Sequence, residues 1–220
     1  MDNARPRGRG PYDDSDAHEK HRLCGIGLAR GIWLNDTRKE KQRIRRAALA
    51  RRDALAPLDI EQQSVLVQES AVQSKEFEKA QVVGAYYPKG SEVRTALLIG
   101  IAKEQGKKVA LPRTEGNDMR LYEYEPADKL VPGKFGIMEP APKKRLVERV
   151  DLLLVPGVAF DRKGCRIGYG KGYYDRFISE GGASFSMGLA YSIQIVDELP
   201  RGRFDRKLGA LATENGLLYF

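Results

Sequence analysis

A glycine-rich stretch at residues 164–175, GCRIGYGKGYYD, holds a dense set of groups that could do chemistry in this 220-residue chain. Three of its glycines recur at every second position, which would let backbone amides approach a phosphate closely. Arg166 and Lys171 would add positive charge there. The spacing matches neither a Walker loop nor a Gly-x-Gly-x-x-Gly dinucleotide turn. The residues therefore favour a phosphate loop of another kind, with a flexible turn or a packing site as the alternative.

Other residues limit the chemistry that this stretch could support. Asp175 follows the last glycine by three positions and could bind a divalent cation carried on the phosphates. The chain has two histidines, His18 and His21, both near its start, so we expect no imidazole base in the main body. Cys165 has no histidine beside it in sequence and is interpreted as an ordinary loop residue. Phosphoryl transfer to a nucleophile on the substrate needs mainly positioning and charge neutralisation, which the loop could supply.

The elements that must position the stretch alternate between strands and helices. Strand patterns occur at 81–88, 107–112, 118–125, 151–157, 183–190 and 208–214. Helix patterns cover 37–56, 57 to about 75, and 91–105, the last with Ser91 as N-cap and Gly106 beyond its end. This order predicts an α/β protein, a Rossmann-like, three-layer, open and largely parallel sheet with helices on both faces. Ligands bind at the carboxyl ends of strands in such sheets.

The first predicted helix carries a stripe of cations beside its apolar face. Thr37 and Glu40 match a capping box, and Pro57 ends the helix. At 3.6 residues per turn, one stripe holds Ile44, Ala48 and Leu55, and the neighbouring stripe holds Lys41, Arg45 and Arg52. The cations either face solvent or point over the edge of the core toward a bound anion, and the pattern leaves both options open.

Composition and charge indicate the domain organisation, the location and the partners of the protein. Of the net charge of +8, residues 1–56 supply +6, from 14 Lys and Arg against 8 Asp and Glu, which leaves +2 for the rest. We predict a basic, mostly flexible extension at 1–35 and a single α/β domain at 36–220. Two cysteines, no signal-like segment and no apolar run long enough for a bilayer predict a cytoplasmic protein without membrane contact. We expect a monomer, and nucleic acid is not expected as its main partner.

Four blocks of sequence together resemble a known family. They are VPGVAFDRKGCRIGYGKGYYDRF, KFGIMEP, YYPKGSEVRT and the Lys-x-x-x-Arg of KQRIR. The chain from about residue 38 to 215 resembles the 5-formyltetrahydrofolate cyclo-ligases, also called methenyltetrahydrofolate synthetases. The resemblance implies an enzyme that uses ATP and Mg²⁺ to close 5-formyltetrahydrofolate, with or without a polyglutamate tail, to 5,10-methenyltetrahydrofolate. In that family the formyl oxygen attacks the γ-phosphate, and N10 then displaces phosphate.

The resemblance also implies roles for individual residues. The implied ATP-binding residues are Lys41, Arg45, Arg166, Ile167, Gly168, Tyr169, Gly170, Lys171, Gly172, Tyr173 and Tyr174. The implied folate-binding residues are Tyr87, Glu92, Tyr169, Gly170, Lys171, Gly172 and Tyr173. Arg166, Lys171 and Tyr173 are the implied catalytic residues, and Asp175 and Asp205 the implied metal ligands. A carboxylate at Glu92 suits a pterin, because it can accept from N3–H and the 2-amino group together.

Alternatives remain beside the resemblance. Phe204 stands where a histidine often precedes the second aspartate in the family, and Glu92 could be only a favourable acid in the first turn of its helix. A noncatalytic RNA-binding protein that uses the basic N-terminal region is a second hypothesis, and a sugar-phosphate isomerase on a similar open sheet is a third. Candidates for binding a glutamate tail are Arg94, Arg113, Arg120 and residues 143–145.

Overall fold

The fold is described by a computed structural model that covers residues 37–141 and 145–220. The predicted extension at 1–35 lies outside the described residues, so the boundary at residue 36 stays a prediction. Within the described ranges, no helix combines the length and apolarity that crossing a membrane requires. Residues 40–220 form one compact unit.

The elements follow one another in the alternating order expected from the sequence. The α-helices are α1 (37–53), α2 (Pro57–Val72), α3 (Lys75–Lys79), α4 (Ala96–Glu104) and α5 (Tyr173–Ser179). The strands are β1 (Val82–Gly84), β2 (Lys108–Glu115), β3 (Asp118–Tyr124), β4 (Leu130–Pro132), β5 (Met138–Pro140), β6 (Leu146–Val147), β7 (Val150–Val155), β8 (Ala159–Asp161), β9 (Arg166–Ile167), β10 (Ala183–Leu189), β11 (Ile195–Val196), β12 (Ala210–Thr213) and β13 (Gly216–Tyr219). Short 3₁₀ turns lie at Lys134–Gly136 and Ser192–Gln194.

An eight-stranded sheet with the order β13-β12-β10-β7-β1-β2-β3-β6 forms the centre of the protein. Its five middle strands, from β12 to β2, are parallel, and the edge strands β13, β3 and β6 are antiparallel to their neighbours. The predicted largely parallel α/β sheet is therefore confirmed. Two small sheets, β11-β8-β9 and β4-β5, were not foreseen from the sequence.

Helices cover both faces of the large sheet. Alternate residues of β7 point to opposite sides: Leu152 and Leu154 join a core formed with α2, α3 and α4, whereas Leu153 and Val155 join a core that includes Phe177 of α5. Both faces of this strand are buried, which explains its continuous apolar sequence. The layers are thus helices, sheet and helix, as the sequence predicted.

The first helix packs outside this sandwich, against the segments that follow β7. Its Ala48 is 1% exposed and lies in a third cluster with Val158, Ala159, Ile167 and Leu199. Ile44 and Leu49 are partly buried against the same cluster. The predicted apolar stripe is confirmed for this part of α1, and its burial fixes the direction of the neighbouring cation stripe.

Three helix boundaries differ from the sequence prediction, and the first is the end of α1, at residue 53 and not at 56. The second helix ends at Val72, because Ser74 caps a separate short helix by accepting a hydrogen bond from the Phe77 amide, 3.1 Å away. The prediction of Ser91 as an N-cap is wrong, since α4 begins at Ala96 and the Thr95 hydroxyl donates to Tyr86 O at 2.7 Å. Gly106 does follow the helix, with a φ of 73° that favours glycine.

The close packing of β10 gives a test of the fold. A Cβ on Gly188 would lie 2.7 Å from Leu211 Cδ1 and 2.9 Å from Phe160 Cε1, so we expect Gly188→Ala to destabilise the protein by about 1–3 kcal/mol. Gly100 in α4 is a matched control, because nothing lies within 4 Å of its added Cβ. We expect Gly100→Ala to stabilise by about 1 kcal/mol through helix propensity. Urea unfolding measures both, and equal effects of the two substitutions would contradict the packing.

Candidate active site

The site lies where the strand order of the large sheet reverses. From β1 the chain crosses through α4 to β2 on one side, and from β7 it crosses through α5 to β10 on the other. Gly84 of β1 pairs with Leu153 of β7, so the loops that follow these two strands leave the same edge of the sheet side by side. The loop at 85–95 contains Glu92, and the segment at 156–172 contains the glycine stretch up to the start of α5. Such a reversal point is where open parallel sheets bind ligands.

The glycine stretch is held in place by a buried carboxylate. Asp161, 1% exposed, accepts hydrogen bonds from the amides of Lys163 (2.9 Å), Cys165 (2.9 Å) and Leu199 (3.0 Å). The first two bonds close the turn between β8 and β9, and the third joins the segment at Leu199 to it. Burial raises the pKa of the Cys165 thiol, which argues against a reactive thiolate and agrees with an ordinary loop residue.

Two of these glycines adopt conformations that other residues rarely take. Gly170 has a φ of 95°, and Gly172, which precedes α5, has a φ of 67°. A side chain at either position would be strained. The Lys171 carbonyl between them accepts a hydrogen bond from Arg176 Nη1 at 2.9 Å, and the same guanidinium lies 5.2 Å from the centre of the Tyr173 ring. The loop is therefore shaped by its glycines and supported from α5.

Cations of α1 reach the glycine stretch and the segment near residue 205. Arg45 Nε donates to the carbonyl of Gly168 at 2.8 Å, and burial lowers the pKa of this guanidinium. Lys41 forms an ion pair with Asp205, which also accepts from the amide of Gly202 at 2.6 Å. The side chains of Lys41 and Arg45 therefore point toward the site and not into solvent.

Arg166 is a buried cation with unused hydrogen-bonding capacity. It is 9% exposed, its Nη2 lies 3.2 Å from Asp175 Oδ1, and its guanidinium lies 5.5 Å from the centre of the Tyr174 ring. Although Nη2 is within ion-pair distance of Asp175, the two groups do not have hydrogen-bond geometry. Within the described part of the chain, neither Nε nor Nη2 has an acceptor. Buried donors without acceptors are costly, and an anionic ligand would satisfy them.

Glu92 supplies the opposite charge on the neighbouring loop. The side chain is 5% exposed, and its Oε2 accepts from the Lys89 amide at 2.8 Å. Burial raises the pKa of this carboxyl, while the Lys89 amide, the Arg52 charge and the Tyr169 hydroxyl each oppose the increase. Because α4 begins only at Ala96, Glu92 is not a first-turn helix residue, and that alternative is wrong.

The tyrosines differ in their exposure. Tyr87 and Tyr169 are 42% and 47% exposed, so both rings are available to a ligand. Tyr173 and Tyr174 pack partly against the apolar core on the α5 side, and burial raises the pKa of the Tyr174 phenol. The remaining residue of the implied set, Ile167, is buried in the cluster with Ala48 and contributes packing.

The two predicted metal ligands approach each other through the backbone. Asp175 Oδ1 accepts from the amide of Arg206 at 3.1 Å, which brings the residue next to Asp205 against the Asp175 carboxylate. In the described ranges, no three His, Cys, Asp or Glu side chains gather as a ready-made metal site. Two carboxylates beside cations still suit Mg²⁺, which commonly takes only one or two protein ligands and substrate phosphates.

Several predicted tail-binding residues have other partners. Arg94 Nε donates to Glu61 at 2.8 Å, Arg113 Nη1 donates to Pro140 O at 2.7 Å, and Arg120 lies 3.5 Å from Glu115. Of the 143–145 segment, Lys143 and Lys144 lie outside the described residues.

Sequence reasoning missed a role for Arg52, which was recognised only as part of a cation stripe. The side chain is 2% exposed and contacts both loops of the site. The available signal was its offset of 11 residues from Lys41, which returns to the same helical face.

Comparison with known proteins gives one consistent result. The model of the 5-formyltetrahydrofolate cyclo-ligase family matches residues 37–214. A probable 5-formyltetrahydrofolate cyclo-ligase of Schizosaccharomyces pombe is 37% identical, covering 72% of this chain and 87% of the relative. The 5-formyltetrahydrofolate cyclo-ligase of Escherichia coli K12 is 32% identical over 74% of this chain and 94% of its own length.

A solved structure agrees with these sequence relatives. The 5,10-methenyltetrahydrofolate synthetase of Aquifex aeolicus is 36% identical and superposes with a TM-score of 0.73, covering 81% of this chain and 92% of that chain.

The buried Glu92 carboxyl gives a pH test of the site. Its pKa is raised above the ordinary value of 4.5, so the stability it contributes is complete below 4.5 and declines as pH rises through the raised pKa. We expect Glu92→Gln, which cannot titrate, to gain stability relative to wild type as the pH rises from about 4 to 7. Urea unfolding at several pH values measures this. The exposed Glu104→Gln is the control, and a constant difference between wild type and Glu92→Gln would contradict the burial.

Proposed function

The chain belongs to the 5-formyltetrahydrofolate cyclo-ligase family, and from this premise we propose that it closes 5-formyltetrahydrofolate to 5,10-methenyltetrahydrofolate at the expense of ATP. The products are ADP and phosphate. The observation that carries the proposal is that cations and a carboxyl group lie beside the same loop. Gly168 contacts the cation Arg45, and the next residue, Tyr169, contacts Arg52 and lies close enough to the Glu92 carboxyl to lower its pKa.

The cation side of the site suits the triphosphate. Arg166 offers two buried donors that need an acceptor, Arg45 approaches the same loop from α1, and Lys41 reaches Asp205 from the same helix. Gly170 and Gly172 keep side chains away from the loop, so that its amides can approach phosphate oxygens. We infer that these groups, with Lys171, bind the phosphates and neutralise the charge that develops on the transferred group.

The carboxylate side of the site suits the pterin. One Glu92 oxygen accepts from the Lys89 amide, which leaves capacity to accept from N3–H and the 2-amino group of the ring. The exposed Tyr87 and Tyr169 rings would cover the pterin, and Tyr173 would help to exclude water. A buried, water-poor carboxylate also discriminates well, because an analogue without these donors leaves the charge unpaired.

In the proposed reaction the substrate carries both nucleophiles. Its formyl oxygen attacks the γ-phosphorus and ADP leaves. N10 then attacks the activated carbon, the C–O bond breaks, and the departing phosphate takes the N10 proton. Arg166 and Lys171 would stabilise the negative charge in the first step and hold the leaving phosphate in the second. No side chain has to act as the nucleophile, and no imidazole base is needed. This agrees with the absence of histidine from the described residues.

Asp175 and Asp205 would hold Mg²⁺, which supplies further neutralisation of the phosphate charge when bound. In the structure both carboxylates are paired with cations, Asp175 with Arg166 and Asp205 with Lys41. We infer an exchange of partners on binding: the phosphates take over the two cations, and the carboxylates become available to the metal. Such pairing would keep like charges from repelling one another before the substrates bind.

A coupled assay tests the proposed function. Purified protein with 5-formyltetrahydrofolate, ATP and Mg²⁺ should form the methenyl product, followed by its absorbance, together with one ADP for each product. Omitting ATP or the folate should abolish both signals. Product formation without ATP, or ADP release without folate, would contradict the proposal.

The role of Arg166 is tested by substitution. We expect Arg166→Met to raise the KM for ATP roughly 10- to 100-fold, the effect of losing a charged hydrogen bond, with a smaller change for the folate. The exposed Arg162→Met, four residues earlier, is the matched control and should behave as wild type. Steady-state kinetics with each substrate varied measure the difference, and an unchanged KM for ATP would rule out the phosphate role.

The metal role of Asp205 has a separate test. Because Asp205→Asn removes a carboxylate from the proposed Mg²⁺ site, we expect it to raise the Mg²⁺ concentration required for half-maximal rate at saturating ATP. Rates over a Mg²⁺ titration measure the effect, with the exposed Asp118→Asn as control. A titration curve identical to that of wild type would show that Asp205 is not a ligand.

A further inference from the structure

Arg52 lies on the cation stripe of α1 but away from the groups proposed to bind phosphate. It follows Arg45 by seven residues, about 10 Å along a helix at 1.5 Å per residue. Its side chain is 2% exposed, which is rare for an arginine unless its donors are paired.

The Arg52 guanidinium joins three separate segments of the site. Nε donates to the hydroxyl of Ser91 at 2.9 Å, Nη1 to the carbonyl of Gly157 at 3.3 Å, and Nη2 to the hydroxyl of Tyr169 at 2.9 Å. These residues belong to the loop after β1, the loop after β7 and the glycine stretch. The Ser91 hydroxyl in turn donates to Asp53, so α1 holds this loop from two successive residues.

Two of these three contacts lead to Glu92. Ser91 precedes it in the chain, and the Tyr169 hydroxyl, which accepts from Arg52, lowers the pKa of its carboxyl. A guanidinium presents its donors in a fixed plane, so Arg52 constrains the direction of these groups as well as their distance. A lysine ammonium could keep the charge but could not hold three acceptors in this fork geometry.

We propose that Arg52 is a positioning residue for the folate half of the site, holding the Ser91–Glu92 turn and the Tyr169 hydroxyl in register while leaving the triphosphate half to other cations. This inference rests on the proposed cyclo-ligase function. Arg52 does not have to touch either substrate, since it acts through Glu92 and Tyr169. Its loss should therefore affect the two substrates unequally.

The charge of Arg52 has a second, independent effect, on the pKa of the Glu92 carboxyl. The ionisable groups that face Glu92 come from α1, the β1 loop, the glycine stretch and α5, and they are Arg52, Tyr86, Lys89, Tyr169 and Tyr174. The Arg52 charge lowers the pKa of Glu92 against the effect of burial. Without that charge the pKa rises further, and the carboxylate required for the pterin forms only at higher pH.

The experiment compares Arg52→Met and Arg52→Lys with Arg51→Met, an exposed neighbour on the same helix. Isothermal titration calorimetry with 5-formyltetrahydrofolate and with Mg-ATP gives the two affinities, and kinetics from about pH 5 to 9 give the acid limb of kcat/KM for the folate. Thermal unfolding identifies any variant that is not folded. Tyr169→Phe, which removes one Arg52 acceptor at a half-exposed position, serves as a second route to the same interaction.

We expect both Arg52 variants to weaken folate binding roughly 10- to 100-fold with less than about threefold change for Mg-ATP. The acid limb should move to higher pH in Arg52→Met and stay near wild type in Arg52→Lys, while Tyr169→Phe weakens folate binding by a smaller factor. Equal losses of affinity for both substrates, or the same behaviour of Arg52→Met and Arg51→Met, would overturn this inference but not the proposed function. Failure of the wild-type protein to bind or convert the folate would overturn it together with the proposed function.

Discussion

The strand order of the large sheet reverses between β1 and β7, and this constraint decides where everything else in the site must lie. The two crossover helices leave in opposite directions, α4 on one side and α5 on the other, so neither covers the carboxyl edge between the two strands. The opening is filled instead by the loops that follow β1 and β7 and by α1, which packs on the segment after β7 through Ala48. Helix and loops are thereby assembled around one cleft.

Charge compensation is the second condition that the cleft has to meet. Several ionised groups lie there with little exposure, and each buried charge is costly unless it has partners. The pairs Lys41–Asp205 and Arg166–Asp175 meet this condition on one side, and the hydrogen bonds of Arg52 and Glu92 meet it on the other. The hydrogen bonding of Arg166 is an exception, because its charge is paired but two of its nitrogens have no hydrogen-bond acceptor among the described residues. That exception is the physical reason for assigning the anion to its side of the cleft.

Local patterns predicted the large elements well, since they depend on periodicity and on nearby residues. The continuous apolar run of β7, the alternation of β3 and the glycine after α4 all led to correct assignments. Boundaries failed where a long-range contact competed with local propensity. Ser91 has the chemistry of an N-cap, but its hydroxyl is engaged by Arg52 and Asp53, which are 39 and 38 positions away. The short strands β4, β5, β8 and β9 are too brief for any periodicity to be recognised.

The sequence by itself determined the chemistry available to this protein: a glycine stretch with two cations, a cation stripe on the first helix, an acidic residue at position 92, and no histidine beyond residue 21. Those features depend on residue type and spacing, which are present in the unfolded chain. Only the tertiary structure decided that Glu92 is buried outside its helix, and that Arg52 points inward while Arg51 is exposed. Burial and pairing are set by segments far apart in sequence, because a hydrogen bond between residues 52 and 169 exists only after the sheet has brought their elements together.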